Sequence, residues 1–131
     1  MNETYMDLVA RLLKPLGDKM DLAHAALGIA SESGEVADAI KATIVYGRPL
    51  DAINLIEEIG DNHFFASIIL LKLGLTWDHI ERANMAKLNA RYQEGYSDAA
   101  ANDRKKQFER DAIAMAVWGQ TTPPQLELDL A

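Results

Sequence analysis

The sequence contains no cysteine. Disulfides, thiolate nucleophiles and cysteine-based zinc sites are excluded, and nothing argues for an oxidising compartment. Long apolar runs are missing as well. The longest aliphatic stretch, residues 68–71, falls far short of the roughly 20 residues of a membrane span. The opening residues, Met-Asn-Glu-Thr-Tyr-Met-Asp, lack the basic start and apolar core of a signal peptide. A cytoplasmic protein with no membrane association is therefore expected. Positive charge is scarce: 13 Lys and Arg stand against 20 Asp and Glu, a net charge of −7. Gripping nucleic acid through its phosphates needs a basic face, so direct nucleic-acid binding is not expected. A phosphate-bearing small molecule stays open if a metal ion supplies the positive charge. Strand signals are also absent, because β-branched residues are scattered and period-2 alternation does not occur.

What remains is helical. A chain of 131 residues with 49% apolar content fits one domain. The patterning predicts a first helix over residues 3–14, stopped near Pro15-Leu16-Gly17. A long second helix is expected over 18–46, with Leu22, Ile29, Val36, Ile40 and Ile44 as its apolar stripe and Gly47-Arg48-Pro49 as its stop. A third covers 50–73, with Asp51 near its start and Leu55, Ile59, Ala66, Ile69 and Leu73 on one face, and Gly74 breaks it. Thr76 is a plausible N-cap for a fourth helix over 77–92. A fifth is expected over 99–118. The expected fold is all-α, a helical bundle of four to five helices per protomer over residues 1–118, followed by an extended tail at 119–131.

Two acidic doublets stand out. Glu32-Ser33-Gly34-Glu35 and Glu58-Ile59-Gly60-Asp61 share the spacing acid-x-Gly-acid and lie 26 residues apart. Each places two carboxylates on one helix face. The second and third helices are joined by a short turn and should pack antiparallel. Both doublets lie about a dozen residues from that turn, so they should face each other at similar height. Four converging carboxylates repel one another and lose hydration unless a hard divalent cation sits among them. Glu32 lies between Ile29 and Val36, at the border of the apolar stripe. Glu35 lies over Gly28, Ser31, Ala39 and Ala42, small residues that leave room for a ligand or a close partner helix. A third element, Asn84, Lys87 and Arg91, shares one face of the fourth helix, and its point charge and planar fork suit phosphate oxygens.

Taken together, Glu32-x-x-Glu35, about 22 intervening residues, Glu58-x-x-Asp61 and then Asn-x-x-Lys-x-x-x-Arg-Tyr resemble the MazG-like branch of the all-α nucleoside triphosphate pyrophosphohydrolases. The similarity covers residues 21–97. It implies cleavage of an NTP or dNTP between the α and β phosphates, giving the monophosphate and pyrophosphate in nucleotide-pool cleansing. Glu32, Glu35, Glu58 and Asp61 match the family's Mg²⁺ ligands, for which Mn²⁺ can substitute. Lys87 and Arg91 match its phosphate-binding residues, with Asn84 beside them, and Glu35 or Glu58 would take the proton of the attacking water. Assembly as a dimer or dimer of dimers is implied too. The chain departs from the family in one place: Asn62-His63 follows Gly-Asp where apolar or aromatic residues are usual. Either residue could meet a base or sugar, or face a partner helix or solvent. Trp77 and Trp118 could stack on a base but are better suited to the core, and His24 and His79 carry no metal spacing.

Competing classes predict other residues. A di-iron carboxylate bundle needs Glu-x-x-His pairs, which neither doublet supplies. A non-catalytic nucleotide-binding or helical interaction protein would tolerate loss of an acidic ligand, whereas all four are present. The tail carries a separate signal. Gln125-Leu126-Glu127-Leu128-Asp129-Leu130 resembles the hexapeptide with which bacterial proteins dock on the DNA-polymerase sliding clamp, Gln125, Leu126, Leu128 and Leu130 being its contact residues. The Thr-Thr-Pro-Pro segment before it would act as a semi-rigid spacer. The plainer alternative is a leucine-bearing tail that packs back on its own bundle or on its dimer partner.

Overall fold

The computed structural model describes residues 2–131. Among them six helices form and no strand: α1 Tyr5–Leu12, α2 Asp18–Ile44, α3 Ala52–Leu73, α4 Trp77–Arg91, α5 Asp98–Asn102 and α6 Lys106–Trp118. The all-α architecture is as expected. None of the helices is long and apolar enough to cross a membrane.

Local chemistry sets the helix ends. Thr4 and Asp7 form a reciprocal capping box at the start of α1. Asp51 accepts the Asn54 amide at the start of α3, and Gly74 closes that helix in the left-handed conformation at φ 66°. Thr76 caps α4, as expected, and its amide donates to Nδ1 of His79. α2 ends two residues earlier than expected. The amides of Gly47 and Arg48 fold back onto the carbonyls of Thr43 and Ala42.

One expected helix is in fact two. Residues 99–118 break between α5 and α6, so six helices form among the described residues where four to five were expected. Asn102 and Asp103 are weak helix formers whose side chains compete for backbone hydrogen bonds. The chain leaves the helix at Asp103 (ψ 75°) and re-enters after Lys105 (ψ 72°). That kink lets Arg104 turn back to Glu109 at 3.1 Å.

The chain divides into two compact units. The first runs up to Gly74 and includes Leu128–Ala131; the second is Leu75–Glu127. In the first, α2 packs on α3 and α1 packs on α3. Val9, Ala25 and Ile68 form its buried centre, flanked by Leu13, Phe64, Phe65, Ile69 and Leu71. Asp21 is buried in this unit. It accepts the Leu16 amide at 3.0 Å and pairs with Lys72 at 2.6 Å. Lys72 also holds Asp18 at 3.0 Å, and the other Asp18 oxygen accepts the Asp129 amide at 3.0 Å. The tail is extended, and its end folds back onto its own unit.

The ends of the expected stripes are not buried. Ile40, Ile44 and Ile59 are exposed, along with Ile53 and Ile56. A two-helix layer has a single inner face, and the contacts of α1 with the centre, through Val9 and Ile68, lie far from the α2–α3 turn. Among the described residues nothing in the unit covers that end.

In the second unit α4 packs on α6, with Ala83 and Ala114 buried. Trp77 and Trp118 are half-buried.

Candidate metal centre

α2 and α3 supply the acidic residues. Helical spacing puts Glu58 and Asp61 on one face of α3, and the antiparallel hairpin brings Glu32 of α2 to the same height. One carboxylate oxygen from each of Glu32, Glu58 and Asp61 lies within 4.8 Å of the others. Glu32 and Glu58 are half-buried, and Asp61 is exposed. Glu35, the fourth acid of the motif, is exposed and stands outside this group. It lies near enough to act on Glu58 through its charge.

The hairpin is pinned at this level by Asn62. Its Nδ2 donates to the Glu58 carbonyl at 3.0 Å, and its Oδ1 accepts the Ser33 hydroxyl at 3.0 Å. Of the two roles open to Asn62, the structure shows the one facing a partner helix. The small residue Gly28 likewise makes room for a helix and not for a ligand. A Cβ built there would stand 2.3 Å from the Phe65 ring. His24 lies edge-on to that ring, with centroids 5.5 Å apart.

The electrostatics are those of crowded like charges. Burial pushes the Glu58 carboxyl above its ordinary value. A hydrogen bond that the protonated Glu58 donates to Glu32, and the charges of Glu32, Glu35 and Glu57, push it further. A cation would relieve this strain. The donor set is entirely oxygen, which suits a hard ion such as Mg²⁺ or Mn²⁺. Oxygens around Mg²⁺, each about 2.0–2.1 Å from the ion, sit about 3–4 Å from one another.

α1 sets Tyr5, which the sequence did not single out, against His63. The Tyr5 ring of α1 meets the His63 imidazole with centroids 4.9 Å apart and planes at 56°. Tyr5 is 42% exposed, and burial together with the Asp61 charge raises its phenol above the ordinary value. No sequence signal joins a residue of the first helix to the third; only packing does.

Compared with family models, curated proteins and solved structures, the chain matches none. The acidic motif therefore carries the functional argument unaided.

The remaining expected residues lie in the second unit, on α4. Asn84 is exposed. Lys87 is half-buried and lines a shallow cavity with Arg104, Lys106, Arg110 and Glu109. Arg91 is already engaged: its Nε and Nη2 each donate to Glu109 at 2.8 Å. Its side chain is only 14% exposed and that of Glu109 only 5%. Arg91, then Arg104, hold the Glu109 carboxyl down at about 2, and the Glu109 carboxylate in turn raises the Arg91 guanidinium. The planar fork expected to be open for phosphate is filled by a carboxylate. In the tail, Gln125, Leu126 and Leu130 are exposed and Leu128 is half-buried.

Proposed function

We propose that this chain is a divalent-cation-dependent nucleoside triphosphate pyrophosphohydrolase, cutting (d)NTPs between the α and β phosphates. The observation that carries the proposal is the meeting of Glu32, Glu58 and Asp61 across an antiparallel hairpin, with ligand oxygens within 4.8 Å. The raised Glu58 carboxyl supports it, because carboxylates crowded this closely are costly without a cation. Glu32, Glu58 and Asp61 would hold Mg²⁺, with Glu35 beside them. When bound, the ion supplies charge neutralisation on the leaving pyrophosphate and acidifies the attacking water. Glu35, exposed and outside the tight group, is the better placed of the two candidate bases to accept a proton. Glu58 is the more deeply committed to its neighbours. Asn84, Lys87 and Arg91, the phosphate contacts that the resemblance implies, belong to the second unit, where Arg91 is held by Glu109. A cytoplasmic setting follows from the substrate.

Self-association belongs to the same proposal. Ile44, Ile53 and Ile56 are 77%, 80% and 70% exposed, which is unusual for isoleucine, and they crowd one end of the α2–α3 hairpin. A second copy of the chain is the occupant that the homo-oligomer reading supplies. This apolar end also favours one rival, a non-catalytic helical interaction protein. The tail is proposed to bind a polymerase sliding clamp, with Leu126 and Leu130 already exposed.

A panel of NTPs and dNTPs with Mg²⁺, products resolved by chromatography, tests the activity. Monophosphate and pyrophosphate should appear with wild type and disappear with Glu58→Gln, while Lys87→Ala should raise KM. No turnover of any nucleotide would leave the interaction protein as the better account. A clamp-binding assay on the full chain and on the isolated tail peptide tests the partner, and silence in both removes it.

A further inference from the structure

The end of the tail is tied down, although the clamp reading asks it to reach a partner. Leu128–Ala131 belong to the first unit. The tie is a chain of charged groups. Asp21, buried at 1% exposure, pairs with Lys72 at 2.6 Å. Lys72 reaches Asp18 at 3.0 Å, and the other Asp18 oxygen accepts the Asp129 amide at 3.0 Å, across 111 residues of sequence. The Lys72 and Asp18 side chains are only 18% and 29% exposed. A hydrogen bond to an ionised acceptor is stronger than a neutral one, and here a part-buried cation fixes the acceptor in place. Beside this contact Leu128 is half-buried, whereas Leu126 and Leu130 are 43% and 53% exposed.

In an extended segment residues 126, 128 and 130 fall on one side. A partner that takes these leucines into a row of apolar pockets needs all three together. Leu128 cannot keep its present cover and enter a pocket as well, and a peptide lying in a partner's groove cannot keep Asp129 on α2.

We propose that Asp18, fixed by Lys72 and Asp21, latches the tail closed at Asp129, so that a partner reading Gln125, Leu126, Leu128 and Leu130 docks fully on the released form alone. This inference rests on the sliding-clamp reading above. The exposed Leu126 and Leu130 make first contact, and docking is completed when the Asp129 amide leaves Asp18. The latch reduces the apparent affinity of the full chain by the fraction of tails that stand open.

The test compares the full chain with a peptide of residues 119–131, which carries the motif and no latch. Binding of each to a purified sliding clamp is measured by calorimetry. The full chain should bind about tenfold more weakly than the peptide, the scale of one hydrogen bond to a charged group. Asp18→Ala should bring the full chain to within about twofold of the peptide. Asp18→Asn keeps an acceptor oxygen for the Asp129 amide and should keep part of the difference. Asp38→Ala removes the same charge from an exposed position on α2 and should change nothing. Asp129→Pro, made in both the chain and the peptide, deletes the amide donor and leaves Asp18, Lys72 and Asp21 in place. The gap between those two should close, which keeps the test open if Asp18→Ala does not fold. Equal affinity of the wild-type chain and peptide overturns the latch and leaves the clamp reading standing. A gap that survives Asp129→Pro overturns the latch as well. A peptide that does not bind the clamp sinks the clamp reading, and the latch with it.

Discussion

Gly28→Ala is the sharpest perturbation the structure offers. In an exposed helix interior, glycine to alanine stabilises by about 1 kcal/mol through backbone entropy. At Gly28 the added methyl would stand 2.3 Å from Cδ1 and 2.4 Å from Cγ of Phe65. No real contact is that short, and the obstacle is a ring in the core cluster, itself packed against His24 and Phe64. Overpacking of this kind costs about 1–3 kcal/mol or more. The clash should outweigh the entropic gain, for a net loss of about 1–2 kcal/mol. Gly60 provides the control, because a Cβ there meets nothing within 4 Å. Gly60→Ala should gain up to about 1 kcal/mol. At this chain length about 1 kcal/mol shifts Tm by roughly 4 °C. Melting followed by circular dichroism should therefore place Gly28→Ala about 4–8 °C below wild type and Gly60→Ala a few degrees above it. Phe65→Ala in the Gly28→Ala background should be less damaging than the sum of the two single changes, since each relieves the other. A Gly28→Ala protein as stable as Gly60→Ala would refute the close approach of α2 and α3 at this level, and with it the height match of the acidic residues.

The other predictions concern charge. Glu109, held down at about 2 from an ordinary 4.5, stabilises the fold fully above the unfolded value, and that contribution is lost as pH falls from about 4.5 towards 2; acid titration of Glu109→Gln should show a flatter loss of stability over that window. Arg91→Ala should be far more damaging than Arg82→Ala, because it leaves the buried Glu109 carboxylate with only the half-exposed Arg104, whereas the Arg82–Asp78 pair is exposed on both sides; paired thermal melts check this. Chelation of divalent ions should abolish nucleotide hydrolysis and added Mg²⁺ restore it, and Mg²⁺ should raise the Tm of wild type but not of Glu58→Gln. Asp18→Ala should release the Asp129 amide, seen as faster hydrogen exchange there; an amide already exchanging at the unprotected rate in wild type would show the tail is not held.

Much of this molecule was written into the chain locally. Helix type, most helix ends and the pairing of α2 with α3 follow from periodicity, from caps such as Thr4, Asp51 and Thr76, and from a short turn; these interactions span only a few residues and can be read in order. The shared face of Glu58 and Asp61 follows from helix geometry alone, and the height match with Glu32 from counting residues to the turn. Tertiary structure decided the rest. Helical spacing says which residues share a face but not what that face meets. Only packing could fill Gly28 with Phe65, turn Asn62 towards α2, close the Arg91 fork on Glu109 and set Tyr5 against His63. The break between α5 and α6 was hidden for the same reason: local propensity is weak at Asn102–Asp103, and the ion pair made by the kinked form lies with a residue of another turn. Partners distant in sequence are chosen by shape and charge in three dimensions, and no pattern along the chain records that choice.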